Sequence, residues 1–344
     1  MALELLLLGD TPIAGMVERV KCAEAAGFDT VWLADERFYR EVYSCLAVFA
    51  ASTGTVRLGP CVTDPFARHP ALTAMAIATL DEISNGRAIL GLGAGLSGFA
   101  ELGIEPVKAP RAMRETIELV RALLRGEQVT CHGEVIHFVN GRLNFMPLRA
   151  AVPVVIASNG PLGQRAAGAV ADGAIMEACA SVAEVRAFCA EVARGAEKSG
   201  RNPGAVTLTA RLNACVAADG TTARDAVRPS VARILGRRSM RFATLEQQEL
   251  QLPDDIVATI GPQPYAAGAA PYLPLLPLVT DRHVDAFTLA GTVPEVVAHL
   301  LALRRAGIDN VILRPLATPG ATVEDSIRIF GREVWPAVEA ASRS

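Results

Sequence analysis

The chain has 344 residues, 51% of them hydrophobic and 20% charged, with a net charge of −3. This length suits either two ordinary domains or one large α/β barrel, and the apolar share excludes a disordered chain. No Lys/Arg cluster is present, which excludes nucleic acid as a partner. The apolar run Leu5 to Leu8 is too short to cross a membrane and lacks the flanks of a leader peptide. Seven cysteines contain no C-x-x-C, so a reducing cytoplasmic setting with no disulfide framework and no metal site is expected.

Short apolar strands alternate with amphipathic helices along the chain. Strand Leu3 to Leu8 leads to Thr11-Pro12, an N-cap and first-turn pair, and then to Ile13, Met16, Val17 and Val20 at helical spacing. Strand Thr30 to Leu33 precedes a helix over Glu41 to Ala51. Strand Val56 to Pro60 precedes a helix over Ala71 to Ile83, stopped by Asn85-Gly86. Strand Ala88 to Leu92 precedes a helix over Arg111 to Leu124. Strand Val154 to Ala157 precedes Leu162 to Val170, and strand Ala174 to Met176 precedes Val182 to Lys198. Strand Val206 to Val216 precedes a helix from Thr222. The last unit is a helix over Pro294 to Arg305, opened by the capping box Thr292-x-x-Glu295, then strand Val311 to Leu313 and helix Val323 to Phe330.

One phrase recurs: Ala25-Ala26-Gly27-Phe28-Asp29-x-Val31-x-Leu33 is echoed at 305–313 and more loosely at 170–175. Each copy reads as a helix end, a glycine turn and a buried strand. Eight such units make a (β/α)₈ TIM barrel, with the active site on the loops that follow the strands. A doubly wound sheet is the alternative. The expected organisation is one domain over 1–344 with two insertions. Residues 128–145 alternate as a hairpin, and residues 236–285 carry a polar helix (Thr244 to Leu250) and a Pro/Gly-rich, lid-like tract.

The densest motif is Gly59-Pro60-Cys61-Val62-Thr63-Asp64-Pro65-Phe66-Ala67-Arg68-His69-Pro70, which ends the third strand and enters a helix. A second turn, Ala157-Ser158-Asn159-Gly160-Pro161-Leu162-Gly163, ends the fifth barrel strand and opens a helix. Free N–H groups and the positive end of the helix dipole make that turn an anion site; a plain helix cap is the bland reading. Gly91 to Gly98 contains G-x-G-x-x-G, but Pro106 and Pro110 follow where a dinucleotide fold needs a helix at once.

Together these segments resemble the luciferase-like family, most closely its methylenetetrahydromethanopterin reductases, whose coenzyme is the deazaflavin F420. The resemblance implies a non-proline cis peptide at Cys61–Val62 behind the ring, with Thr63 and Asp64 at the ring's polar edges. It implies that Ala94 and Ser97 line the coenzyme's side chain. The backbone of Ala157, Ser158, Asn159, Gly160, Leu162 and Gly163 is implied to hold its phosphate. Asp35-Glu36 stands where many deazaflavin relatives have Asp-His, so Glu36, with Asp35 beside it, is the candidate for proton transfer; two solvated loop carboxylates are the alternative. The strand-one Glu of the reductases aligns with Leu6, so its role is not transferred. Asp64 stands where those reductases have Asn, and its full charge either changes the ring's electronics or calls for a cationic partner. Arg314, after the last strand, is a candidate for an anionic substrate group or a rim salt bridge. His69 is expected to cap or pack at the start of the third helix.

The implied activity is an F420-dependent hydride transfer to or from a small organic substrate, carried out by a homodimer. An FMN-dependent monooxygenase on the same fold is the second reading, and a non-catalytic cofactor-binding protein the third.

Overall fold

The computed structural model describes residues 1–95, 98–237, 242–264 and 267–342. Eleven strands are present among them: β1 Ala2–Leu7, β2 Thr30–Leu33, β3 Arg57–Pro60, β4 Leu90–Gly93, β5 Val129–His132, β6 His137–Gly141, β7 Val154–Ala157, β8 Gly173–Glu177, β9 Thr207–Val216, β10 Thr288–Gly291 and β11 Asn310–Pro315. Parallel pairing runs β3-β2-β1-β11-β9-β8-β7-β4. Bridges Leu58 to Ala88 and Thr63 to Leu92 join the two ends and close the barrel. This is the expected TIM-barrel architecture. No helix among the described residues is long and apolar enough to cross a membrane.

Strand alternation divides the apolar side chains into two bodies. Leu3, Leu5, Leu7, Val31, Leu33, Leu58, Leu90, Val154, Ile156, Leu212 and Leu313 pack outward against the helices. Leu6, Trp32, Ala34, Cys61, Ile89, Val155, Ala157, Ile175 and Ile312 pack together along the axis, with Val62 and Leu8 against them. The period of two in each strand places alternate residues on the two sides. Below the axial cluster the filling turns polar. Glu4 accepts a hydrogen bond from Trp32 Nε1 (2.5 Å) and another from Asn310 Nδ2 (3.1 Å), with Arg57 at 3.9 Å.

Glu4 therefore faces the axis on the same side of β1 as Leu6, one layer beneath it. Burial pushes its carboxyl up to about 7, against the smaller opposing effects of the Trp32 hydrogen bond and Arg57. The folded chain holds this proton to a higher pH than the unfolded chain does. The contribution to stability is thus full below about 4.5 and is lost as pH rises through 7. Glu4→Gln is expected to stabilise the protein at pH 8 by about 2–3 kcal/mol and to change it little at pH 5. Thermal unfolding at the two pH values checks this; equal midpoints at pH 8 would contradict a buried charge.

Several local expectations are corrected. The first helix is Ile13–Ala25, with extended Pro12 as its cap and no side-chain capping bond, because the Thr11 hydroxyl accepts from Arg19 instead (3.4 Å). In the copies at 25–33 and 305–313 the glycines do turn, at φ +84° and +118°. The third copy does not: the chain leaves its helix extended at Ala171, and Gly173 lies inside β8. A Cβ there would stand 2.9 Å from Val155 and 3.1 Å from the Thr207 carbonyl, so this glycine serves close strand packing. In the 236–285 insertion the polar helix covers only Ala243–Gln247. A second helix, Asp254–Ile260, and the Pro-rich 3₁₀ stretch Ala270–Leu278 follow it. Strand β10 was not foreseen; its four residues continue the pairing along the edge of β9 beyond the end of β8.

The hairpin β5–β6 forms as expected. Glu115 accepts from the backbone N–H groups of Glu134, Val135 and Ile136 at its turn (2.8–3.0 Å) and from Arg111. His69 caps the helix Pro70–Ile83 through Nδ1 (Ala71 N, 3.1 Å), while its Nε2 lies 3.0 Å from the His137 carbonyl of the hairpin.

Candidate active site at the mouth of the barrel

The carboxyl ends of β3, β4 and β7 are neighbours in the closed barrel. Thr63 N donates to the Gly91 carbonyl (3.0 Å), Gly93 N donates to the Thr63 carbonyl (2.9 Å), and Gly93 pairs with Ala157. The three turns that carried the sequence reading thus lie side by side, spanning two strand spacings, about 10 Å.

The Cys61–Val62 peptide is cis. Cys61 is buried on the axis, and burial pushes its thiol up, which makes it a packing residue and not a nucleophile. Val62 lies against β4, whose glycines are shaped to it. A Cβ on Gly93 would meet Val62 Cγ2 at 2.4 Å, and one on Gly91 would meet the Pro60 carbonyl at 2.3 Å. The glycine run is therefore fully used in packing. Gly95 and Gly98, at φ +70° and +68°, turn the chain where Phe99 and Arg37 leave no room for a side chain. Ala94 sits half-buried between these turns, while Ser97 lies outside the described residues.

Thr63 is fully buried, and its hydroxyl has no hydrogen-bond partner among the described residues. Asp64 is 1% exposed but fully engaged. Its Oδ1 accepts from Phe66 N and Ala67 N (2.8 Å each), and its carboxylate pairs with Arg37. The cation that Asp64 calls for is therefore present within the chain, and Arg37 also stacks over Phe99 (5.1 Å). Arg37 was not foreseen, because its position in a loop after β2 gives no sequence sign of a partner 27 residues on.

At the β7 turn, Gly160 caps the helix Pro161–Val170 with no side-chain capping bond. Pro161 has no N–H, so the backbone N–H groups of Leu162 and Gly163 face outward from the helix start. The Leu162 side chain is exposed. Ser158 Oγ closes the turn on Gly160 (3.2 Å), and Asn159 Oδ1 accepts from Glu177 N (2.8 Å), tying this turn to the end of β8. The Asn159 Oδ1 thus serves as a brace.

Asp35 and Glu36 are half-buried after β2. Opposite them, β8 and β9 bring a polar layer that the sequence reading missed. Glu177 and Arg211 pair at 3.5 Å, each about one-fifth exposed, and stand register-paired in the sheet. Asn213 follows on the same side of β9, register-paired with Arg314 on β11, the residue proposed from sequence for this rim. The available signal was the alternation Thr209, Arg211, Asn213 between Leu208, Ala210, Leu212 and Ala214, polar inward and apolar outward in a buried strand.

The sequence profile of the luciferase-like monooxygenases matches residues 5–310. The chain is 34% identical over 319 residues to a 5,10-methylenetetrahydromethanopterin reductase of Archaeoglobus fulgidus, covering 92% of this chain and 93% of the relative. It is 31% identical over 325 residues to the reductase of Methanolobus tindarius, covering 94% and 96%. Among solved structures, the coenzyme F420 dependent tetrahydromethanopterin reductase of Methanopyrus kandleri superposes with a TM-score of 0.85 at 26% identity, covering 97% and 98%.

Proposed function

We propose that this chain, which belongs to the luciferase-like monooxygenase family, is an F420-dependent oxidoreductase acting on a small organic substrate, with methylenetetrahydromethanopterin as the first substrate to test. The observation that carries this reading is the unpartnered, fully buried Thr63 hydroxyl on the same rim as an uncapped helix start. A buried hydroxyl needs a partner, and a polar ring edge provides one. The residues present fit the coenzyme.

Thr63 would hold the ring's polar edge, with Cys61 and Val62 as the wall behind it. The N–H groups of Leu162 and Gly163, with the Ser158 turn, would hold the phosphate. Bound there, F420 supplies a hydride acceptor or donor. Arg37 neutralises Asp64, so that carboxylate adds no uncompensated charge beside the ring. The barrel wall fixes the reacting centres relative to one another, and the apolar axis keeps water from below.

Glu36 is the proton-transfer candidate on the loop after β2. Glu36→Gln is expected to slow the hydride-transfer step about a hundredfold, in the range of lost general acid–base catalysis. Stopped-flow absorbance of the deazaflavin measures it, and an unchanged rate removes Glu36 from the mechanism.

Equilibrium binding of F420 and FMN to the purified chain, side by side, tests the assignment. Tight F420 binding with weak FMN binding is expected; the reverse preference makes the chain a flavin monooxygenase. The chain is read as a cytoplasmic homodimer. Exposed Leu72, Met75 and Ile83 on one helix, with Val48 on the helix Val42–Ser52 beside it, support a subunit contact.

A further inference from the structure

We infer that Phe38, on the turn that carries Glu36, is the stacking platform for a substrate with a flat, conjugated ring. The inference rests on the F420 reading above and deepens it by naming the substrate class. Phe38 has φ +66°, and among the described non-glycine residues at positive φ it alone is aromatic. Its turn is closed by Tyr39 N, which donates to the Glu36 carbonyl (3.3 Å), and Phe38 fills the third position. Glycine and asparagine suit positive φ there, whereas a bulky side chain is held at a conformational cost. The ring is 69% exposed, so its burial returns little of that cost. A strained aromatic residue that the core does not use, at the mouth of a barrel, is a group kept for a ligand.

The turn is pinned on both sides of the ring. Before it, Arg37 pairs with Asp64 and stacks over Phe99. After it, Arg40 Nη1 donates to the Gly9 carbonyl (2.9 Å), and a Cβ on Gly9 would meet Arg40 N at 3.1 Å. The ring therefore projects from a fixed base, and little freedom is lost when a ligand meets it. Its edge leans on the loop after β4, where a Cβ on Gly98 would stand 3.1 Å from Phe38 Cε2. Side-chain exposure falls to 10% at Arg37 and 1% at Asp64, so Phe38 is the outer end of this file of contacts. The Cys61–Val62 wall lies at the buried end, which leaves the phenyl ring to what enters from solvent, two residues from Glu36. A phenyl group has no charge and no hydrogen-bonding atom. What it selects is a flat π face, which a small saturated alcohol does not offer.

The test reads binding without turnover. Methylenetetrahydromethanopterin, whose pterin carries a flat pyrimidine ring, is titrated calorimetrically into the full chain holding oxidised F420, which has no hydride to give. Wild type is compared with Phe38→Ala, Phe38→Leu and Phe38→Trp. Expected are a roughly tenfold weaker substrate Kd in the Ala and Leu variants, wild-type affinity in the Trp variant, and unchanged F420 affinity in all three. Full affinity in Phe38→Leu makes the ring a plain apolar contact and overturns the inference. Weaker F420 binding in Phe38→Ala assigns the ring to the coenzyme, and a changed sedimentation coefficient assigns it to a subunit contact; either result overturns it, as does absence of substrate binding to wild type. Absence of F420 binding to the wild-type chain is a different failure, that of the coenzyme reading. A ligand-free arm then decides for Phe38. Phe38→Gly is expected to unfold at an equal temperature or about 2 °C higher, since glycine suits this φ. A lower midpoint shows that the fold itself needs the ring and sinks the proposal.

Discussion

Gly163→Ala is expected to weaken F420 binding roughly tenfold to hundredfold while the barrel stays folded, the range for losing one or two hydrogen bonds to a charged group. A Cβ at this position would stand 2.2 Å from Ser158 Oγ and 2.7 Å from its Cβ. The Oγ can rotate away, but the Cβ is fixed to the backbone, so the turn itself must shift. The N–H groups of Leu162 and Gly163 then lose their common direction, and a phosphate held by them loses its seat. Leu162→Ala is the matched control. Its side chain is exposed, so the substitution leaves the backbone donors where they are. Fluorescence titration of F420 distinguishes the two variants. Full affinity in Gly163→Ala would move the phosphate to another turn.

Arg149→Met is expected to cost about 3–5 kcal/mol of stability, the largest effect on folding among these predictions. Asp81, on the helix Pro70–Ile83, is 1% exposed. It receives Arg149 Nε at 2.9 and 3.1 Å and Ala88 N at 3.2 Å, while Arg149 Nη2 donates to the Ala88 carbonyl at 2.9 Å. The pair joins the segment before β7 to the segment before β4, two strands that must lie in register for the rim to form. Removing the guanidinium leaves a buried carboxylate uncompensated. Adding Asp81→Asn is expected to recover part of the loss, because the residual charge is then gone. Urea unfolding of the single and double variants measures both quantities; a single variant as stable as wild type would show that water compensates Asp81.

Part of this protein could be read directly from its residues. The eight barrel strands, the hairpin, the capping box at Thr292 and the His69 cap follow from local chemistry: periodicity, turn residues and short-range hydrogen bonds. The two candidate turns were legible for the same reason, since Cys61 to Asp64 and Ala157 to Gly163 are contiguous. Where local rules failed, a distant contact decided. Thr11 lost its capping role to Arg19, and Gly173 was reserved for Val155 and Thr207 in place of a turn.

What only the tertiary structure decided is which side chains meet across strands far apart in sequence. The sequence by itself determined that the chain alternates strand and helix, that its strands are buried, and which two turns are its candidate ligand sites. It did not reveal that Asp64 is answered by Arg37, that Glu4 lies beneath Trp32, or that Glu177, Arg211 and Asn213 share one wall of the mouth. The physical reason is barrel closure. Alternation tells which residues of a strand face inward, but which inward residues share a layer depends on the stagger between strands, and only the closed barrel sets that.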